Sequence, residues 1–194
     1  MKRFNHPAYL VIDNILEDPD DFLKITKELR FFSSKIKNPL NSNGEQWKGY
    51  RSEMLTKEQK QKYLNQIIKK TISVFFPESK IDISLNVEMR TSFHYMSKEF
   101  ALGERESWNH VDGTDLFAGV IYLNKKPKKN SGTILYNGDE KIVVENKFNR
   151  MLLYRSDIEH SPDVGSAYGK GLSDSRLTLV FFINRIGINA TKLK

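Results

Sequence analysis

Between Ile81 and Arg90 the chain alternates without a break: Ile81, Ile83, Leu85, Val87 and Met89 are apolar, and Asp82, Ser84, Asn86, Glu88 and Arg90 between them are polar. Successive side chains point to opposite faces only in extended backbone, so this stretch demands a strand with one face buried. Upstream the apolar period is 3.6 instead of 2. Asp18 can cap a helix whose first turn holds Pro19, and Phe22, Ile25, Leu29 and Phe32 then fall on one face. Thr56-Lys57-Glu58-Gln59 has capping-box spacing and opens a second helix that carries Tyr63, Ile67 and Ile68 inward and stops before Pro77. A polar loop over 37–49 separates the two.

Strand patterns otherwise dominate. One is expected over 8–16, and others over 116–123, 133–136, 141–145, 150–154 and 176–184, with Asn137-Gly138 as the hairpin turn between the 133–136 and 141–145 strands. Two helices followed by many short strands predict an α+β, mainly β fold: a sandwich or barrel with the N-terminal helices packed on one outer face. The length of 194 residues suits a single domain, with 1–80 as strand and helical support and 81–194 as the β core. There is no repeat, low-complexity tract or linker.

Composition limits the chemistry. With no cysteine, disulfides, thiolate metal sites and thiol nucleophiles are ruled out, and only oxygen and imidazole ligands remain. The apolar run near the N-terminus is halted by Asp13, too short for a signal core or a membrane span, so a cytoplasmic protein with no membrane partner is expected. The net charge of +7 raises the question of nucleic acid, but the charge is spread over both halves. Its one dense cluster, Lys125 to Lys129, lacks interleaved aromatic residues and reads as a solvated loop.

Candidate ligands interrupt the β pattern at His110 and Asp112. In extended backbone, residues i and i+2 share a face about 6.5 Å apart, close enough for both side chains to converge on one ion. Gly113 then lets the chain bend. A third ligand must come from elsewhere; His160 follows the apolar strand pattern of "RMLLYRS", whereas His6 and His94 read as exposed or structural. Two imidazoles and one carboxylate form the triad of non-haem Fe(II) oxygenases, although zinc with three protein ligands and a water fits the same donors. Downstream, "SDSRLTLVFFINR" places Arg176 at the start of a strand with Thr178 on the same face. An arginine entering a β core needs an anion, which can be an internal Asp or Glu or the carboxylate of a ligand.

These residues resemble the Fe(II)/2-oxoglutarate-dependent dioxygenases, and among them the prolyl 4-hydroxylase-like branch. The resemblance runs from Tyr9 onward. It is carried by "YLVIDNILEDPDDF", a strand ending in Tyr95, the His-x-Asp of His110 and Asp112, "VIYLN", "SGTILY", and "LLYRSDIEHSP" leading into His160. It implies a double-stranded β-helix, a jelly-roll or cupin-like barrel, with His110, Asp112 and His160 as iron ligands. Arg176, helped by Thr178 and by Tyr95, would bind 2-oxoglutarate. The segments 96–109 and 161–175 are longer than usual in the branch, so Arg155 and Arg150 stand as alternatives to Arg176. The implied activity is hydroxylation of a substrate C–H coupled to oxidative decarboxylation of 2-oxoglutarate, with Fe(II) and O2 as cofactors and ascorbate as an optional addition. The substrate is a prolyl or other protein side chain, or a small molecule. The alternatives are a non-catalytic β-sandwich binding module and a zinc-dependent cupin-like enzyme.

Overall fold

The cap residues expected from sequence start both helices. In α1 (Pro19–Lys24) the Asp18 carboxylate accepts from the Asp21 N–H at 3.0 Å. At the head of α2 (Lys57–Phe75), Thr56 and Gln59 cap each other, Gln59 N–H to Thr56 Oγ1 at 3.2 Å and Thr56 N–H to Gln59 Oε1 at 2.9 Å. Phe22 of α1 packs on Tyr63 of α2 with ring centroids 4.0 Å apart, and on Phe93 of the long strand β4 (Asp82–Met96) at 5.0 Å. The helices are thereby fixed to one face of the main sheet.

The computed structural model describes residues 8–33, 48–75, 82–101 and 108–191. The remaining strands are β1 (Tyr9–Ile12), β2 (Phe31–Ser33), β3 (Tyr50–Ser52), β5 (Phe117–Tyr122), β6 (Thr133–Asn137), β7 (Glu140–Val144), β8 (Met151–Arg155), β9 (Glu159–Pro162) and β10 (Arg176–Thr191). They form two antiparallel sheets, a large one in the order β1-β8-β5-β10-β4-β3-β2 and a small one in the order β7-β6-β9. The centre of the large sheet is buried on both faces. Leu177, Leu179, Phe181 and Ile183 of β10 join the helices in one core, whereas Val180, with Val120, Tyr122, Leu152 and Tyr154, packs toward Leu135 and Val144 of the small sheet. Burial on two faces explains why β5, β8 and β10 read as continuous apolar runs while β4 alternates near its start. This two-sheet architecture with helices on the outside is a double-stranded β-helix.

The structure departs from the sequence reading in several places. Phe32 is not on a helical face. The first helix ends at Lys24 with a single 3-10 turn, Ile25–Lys27, and the chain then enters β2, which pairs with β3. The spacing of four apolar residues fits a helix, but Phe31 instead packs on Tyr95, with centroids 5.4 Å apart, and the sheet edge takes the backbone hydrogen bonds. The first strand is shorter than expected, because Asn14 at φ 54° turns Ile15 and Leu16 into the core. The β6–β7 turn is Gly138-Asp139, since Asn137 is paired with Glu140; Gly138, at φ 61°, supplies the left-handed conformation. β2, β3 and β9 have no sequence counterpart, being too short to show a period. Strands from both sides of residue 80 share the large sheet. His6, Pro77, Ile81 and most of the 37–49 loop lie outside the described residues.

Candidate metal centre

Backbone pairing brings the two distant histidines together. His110 and His160 form an isolated antiparallel bridge, His110 N–H to His160 O at 3.0 Å and His160 N–H to His110 O at 2.9 Å. Residues directly opposite in such a pair project to the same side, and the imidazole centroids are 4.2 Å apart. Asp112 follows two residues after His110 on the same face, and its N–H is anchored to Ser156 O at 2.9 Å. His110 Nε2 lies 3.8 Å from Asp112 Oδ1, and His160 Nε2 lies 3.4 Å from Asp112 Oδ2; one donor atom from each residue falls within 4.8 Å of the others.

Both imidazoles are oriented by the same device. His110 Nδ1 sits 2.8 Å from Trp108 O and His160 Nδ1 sits 3.0 Å from Ile158 O, each reaching the carbonyl two residues back. A carbonyl can only accept, so both Nδ1 atoms carry a proton and both Nε2 atoms, the ones through which the rings could ligate, are turned toward the carboxylate. Burial pushes the His160 pKa down, with Asp112 opposing and His110 assisting, which keeps the ring neutral. His110 has 52% of its side chain exposed against 7% for His160, so the open side of the centre is the His110 side. The donor set, two imidazole Nε2 atoms with a carboxylate between them, fits a divalent transition metal.

The triad lines a cavity of about 530 Å³ that also contains Arg176. Arg176 is 3% exposed, and backbone carbonyls hold its guanidinium: Nε donates to Ser131 O at 2.8 Å, and Nη2 donates to Gly132 O and to Thr133 Oγ1, both at 3.2 Å. Its guanidinium carbon lies over Tyr122, 5.5 Å from the ring centroid, and the Tyr122 hydroxyl donates to Thr133 Oγ1 at 2.7 Å. Among the described residues no carboxylate lies within ion-pair distance of Arg176. Burial lowers its pKa, yet a guanidinium stays charged, so Arg176 is a buried cation facing a cavity with no anionic partner among the described residues.

The other expected residues are placed differently. Tyr95 lies on the opposite face of β4, stacked on Tyr50 with centroids 4.6 Å apart, and does not reach the cavity; its neighbour His94 does. Thr178 is fully buried and donates to His94 O at 3.3 Å. Arg150 is paired with Asp13 at 2.6 Å and Arg155 with Asp157, and neither lines the cavity. Sequence reasoning missed Tyr122, Thr133 and Tyr154. Each is a buried polar side chain on a strand, and a buried phenol must find a hydrogen-bond partner, which is the signal that could have marked both tyrosines.

No family model matches the sequence, and no curated protein matches it. Solved structures do match the fold. A prolyl-4-hydroxylase of Pseudomonas putida aligns over 93% of this chain and 94% of its own, with a TM-score of 0.57 at 14% identity. A prolyl hydroxylase from Trichoplax adhaerens, solved with a hypoxia inducible factor peptide fragment, aligns over 91% and 84% with a TM-score of 0.56 at 17% identity. A 2OG-Fe(II) oxygenase family oxidoreductase from Burkholderia pseudomallei aligns over 91% and 84%, with a TM-score of 0.56 at 11% identity. At these identities the likeness establishes the fold: the chain is a double-stranded β-helix of the kind those oxygenases have. What its site does rests on its own residues.

Proposed function

We propose that the protein is a non-haem Fe(II)- and 2-oxoglutarate-dependent dioxygenase that hydroxylates its substrate. The observation that carries this reading is the pairing, in one cavity, of an oriented two-histidine, one-carboxylate set with a buried arginine that has no carboxylate partner among the described residues. A zinc hydrolase would use the first feature and leave the second without a purpose. His110, Asp112 and His160 hold the metal. Arg176 takes the distal carboxylate of 2-oxoglutarate, with Tyr122 and Thr133 fixing the guanidinium in place. Iron, when bound, supplies the O2 chemistry that couples decarboxylation of 2-oxoglutarate to substrate oxidation. The remainder of the chain excludes water and places the substrate: Val120, Val180 and Phe182 give the cavity an apolar wall, and the exposed His110 side is the approach. Similarity to prolyl hydroxylases makes a protein side chain the first substrate to try, with small metabolites next.

The test is succinate formation from 2-oxoglutarate under air with Fe(II), and with ascorbate added in a parallel set. Arg176→Ala removes charge-assisted hydrogen bonds worth about 1.5–3 kcal/mol, so the KM for 2-oxoglutarate should rise roughly 10- to 150-fold while metal affinity stays unchanged. Turnover indifferent to 2-oxoglutarate and to Arg176→Ala would sink the proposal in favour of the zinc enzyme.

A further inference from the structure

Tyr154 is the one side chain outside the triad whose polar atom touches two of the triad's members, among the described residues. It sits on β8 in the core between the sheets, 4% exposed. Its hydroxyl oxygen is 2.9 Å from His160 Nε2 and 3.1 Å from Asp112 Oδ2. A phenylalanine would fill the same apolar surroundings, so the hydroxyl answers to these two contacts alone.

A phenol has one proton and here faces two acceptors. His160 Nε2 is an acceptor because its Nδ1 proton is committed to Ile158 O, and Asp112 Oδ2 is an acceptor as a carboxylate oxygen. A metal that takes the Nε2 lone pair removes the first acceptor, which leaves Asp112 Oδ2 as the only place for the proton. That bond occupies Oδ2 and leaves Oδ1, the oxygen on the His110 side, unclaimed. Ligating carboxylates are commonly held this way by an outer hydrogen-bond donor, and loss of such a donor typically weakens metal binding.

We propose that Tyr154 is a positioning residue of the metal centre: its O–H holds Oδ2 of the Asp112 carboxylate and leaves Oδ1 free to ligate. The proposal rests on the metal reading above. It is tested by titrating Tyr154→Phe and the wild type with Co(II), followed by calorimetry and by the visible absorption of the bound ion, which reports coordination geometry. The expected result is a Kd raised about 10- to 100-fold with an altered Co(II) spectrum, while the melting temperature of the metal-free variant shows it folded. A Kd within twofold of wild type and an unchanged spectrum would overturn it. His160→Ala serves as the control for the underlying reading: if the wild type binds Co(II) no better than this variant, the metal centre itself is wrong, not the tyrosine. Should Tyr154→Phe fail to fold, the near-ultraviolet tyrosine band of the wild type is followed on adding Zn(II). A phenol held on a ligating carboxylate predicts a perturbation, and a flat difference spectrum at saturating zinc rejects it.

Discussion

His94 shows how far one side chain can bend the pH response of the whole protein. Burial, with Arg51 and Arg176 close by, pushes its pKa from 6.5 down to about 3, and its Nε2–H donates to Lys48 O at 2.7 Å. The folded state therefore refuses a proton that the unfolded chain accepts. Above about pH 6.5 neither state is protonated and the group is silent. As pH falls from there toward 3, stability is lost at up to about 1.4 kcal/mol per unit. His160, also depressed by burial, acts in the same direction. Between pH 7 and 5 the metal-free wild type should lose about 2 kcal/mol more than His94→Gln in urea unfolding; equal losses would show that His94 has no part in the acid sensitivity. The same depression keeps His160 neutral for ligation.

Among the elements, the approach to β8 is secured by a single asparagine. Asn149 adopts φ 60°, and its side-chain amide closes on the backbone of Leu16, Oδ1 accepting from N–H at 2.9 Å and Nδ2 donating to O at 2.8 Å. This clamp joins the end of the first strand region to the start of the strand that carries Tyr154. Asn149→Ala loses both bonds, leaves two buried Leu16 backbone groups unpaired and puts alanine at a left-handed φ, for a cost of about 2–4 kcal/mol. Asn149→Gly should recover roughly 1 kcal/mol of that, because glycine adopts positive φ freely. If Gly and Ala variants unfold at the same urea midpoint, the backbone share of the argument is wrong. The elements most legible in the sequence were the capped helices and the long strands, where the period repeats often enough to be read. β2, β3 and β9 are only three or four residues long, and their existence depends on neighbours that offer a partner.

At the scale of the molecule, the site exists only once both sheets have closed. Asp112 is anchored to the chain next to β8, His160 lies on β9 in the small sheet, and Arg176 opens β10 in the large one. The unfolded chain cannot hold these residues in that arrangement, so a metal or 2-oxoglutarate taken up at this site would bind the native state alone. At a hundredfold excess over Kd a ligand adds about 2.7 kcal/mol, which for a chain of this size raises the melting temperature by roughly 5–10 °C. Mn(II) with 2-oxoglutarate should give that shift, a chelator should abolish it, and Asp112→Ala should be indifferent to both; stabilisation that survives in Asp112→Ala would place the metal elsewhere. The residue types and order of His110, Asp112, His160 and Arg176, the switch of period at residue 81 and the caps at Asp18 and Thr56 were all determined by the sequence alone, because donor chemistry and local periodicity are properties of the chain. Which tyrosine meets His160 and Asp112, that Tyr95 faces away, and that Arg176 meets no carboxylate among the described residues were decided by the tertiary structure. Those facts depend on strand parity and on which backbones pair across the two sheets, and a one-residue shift in register would reverse them.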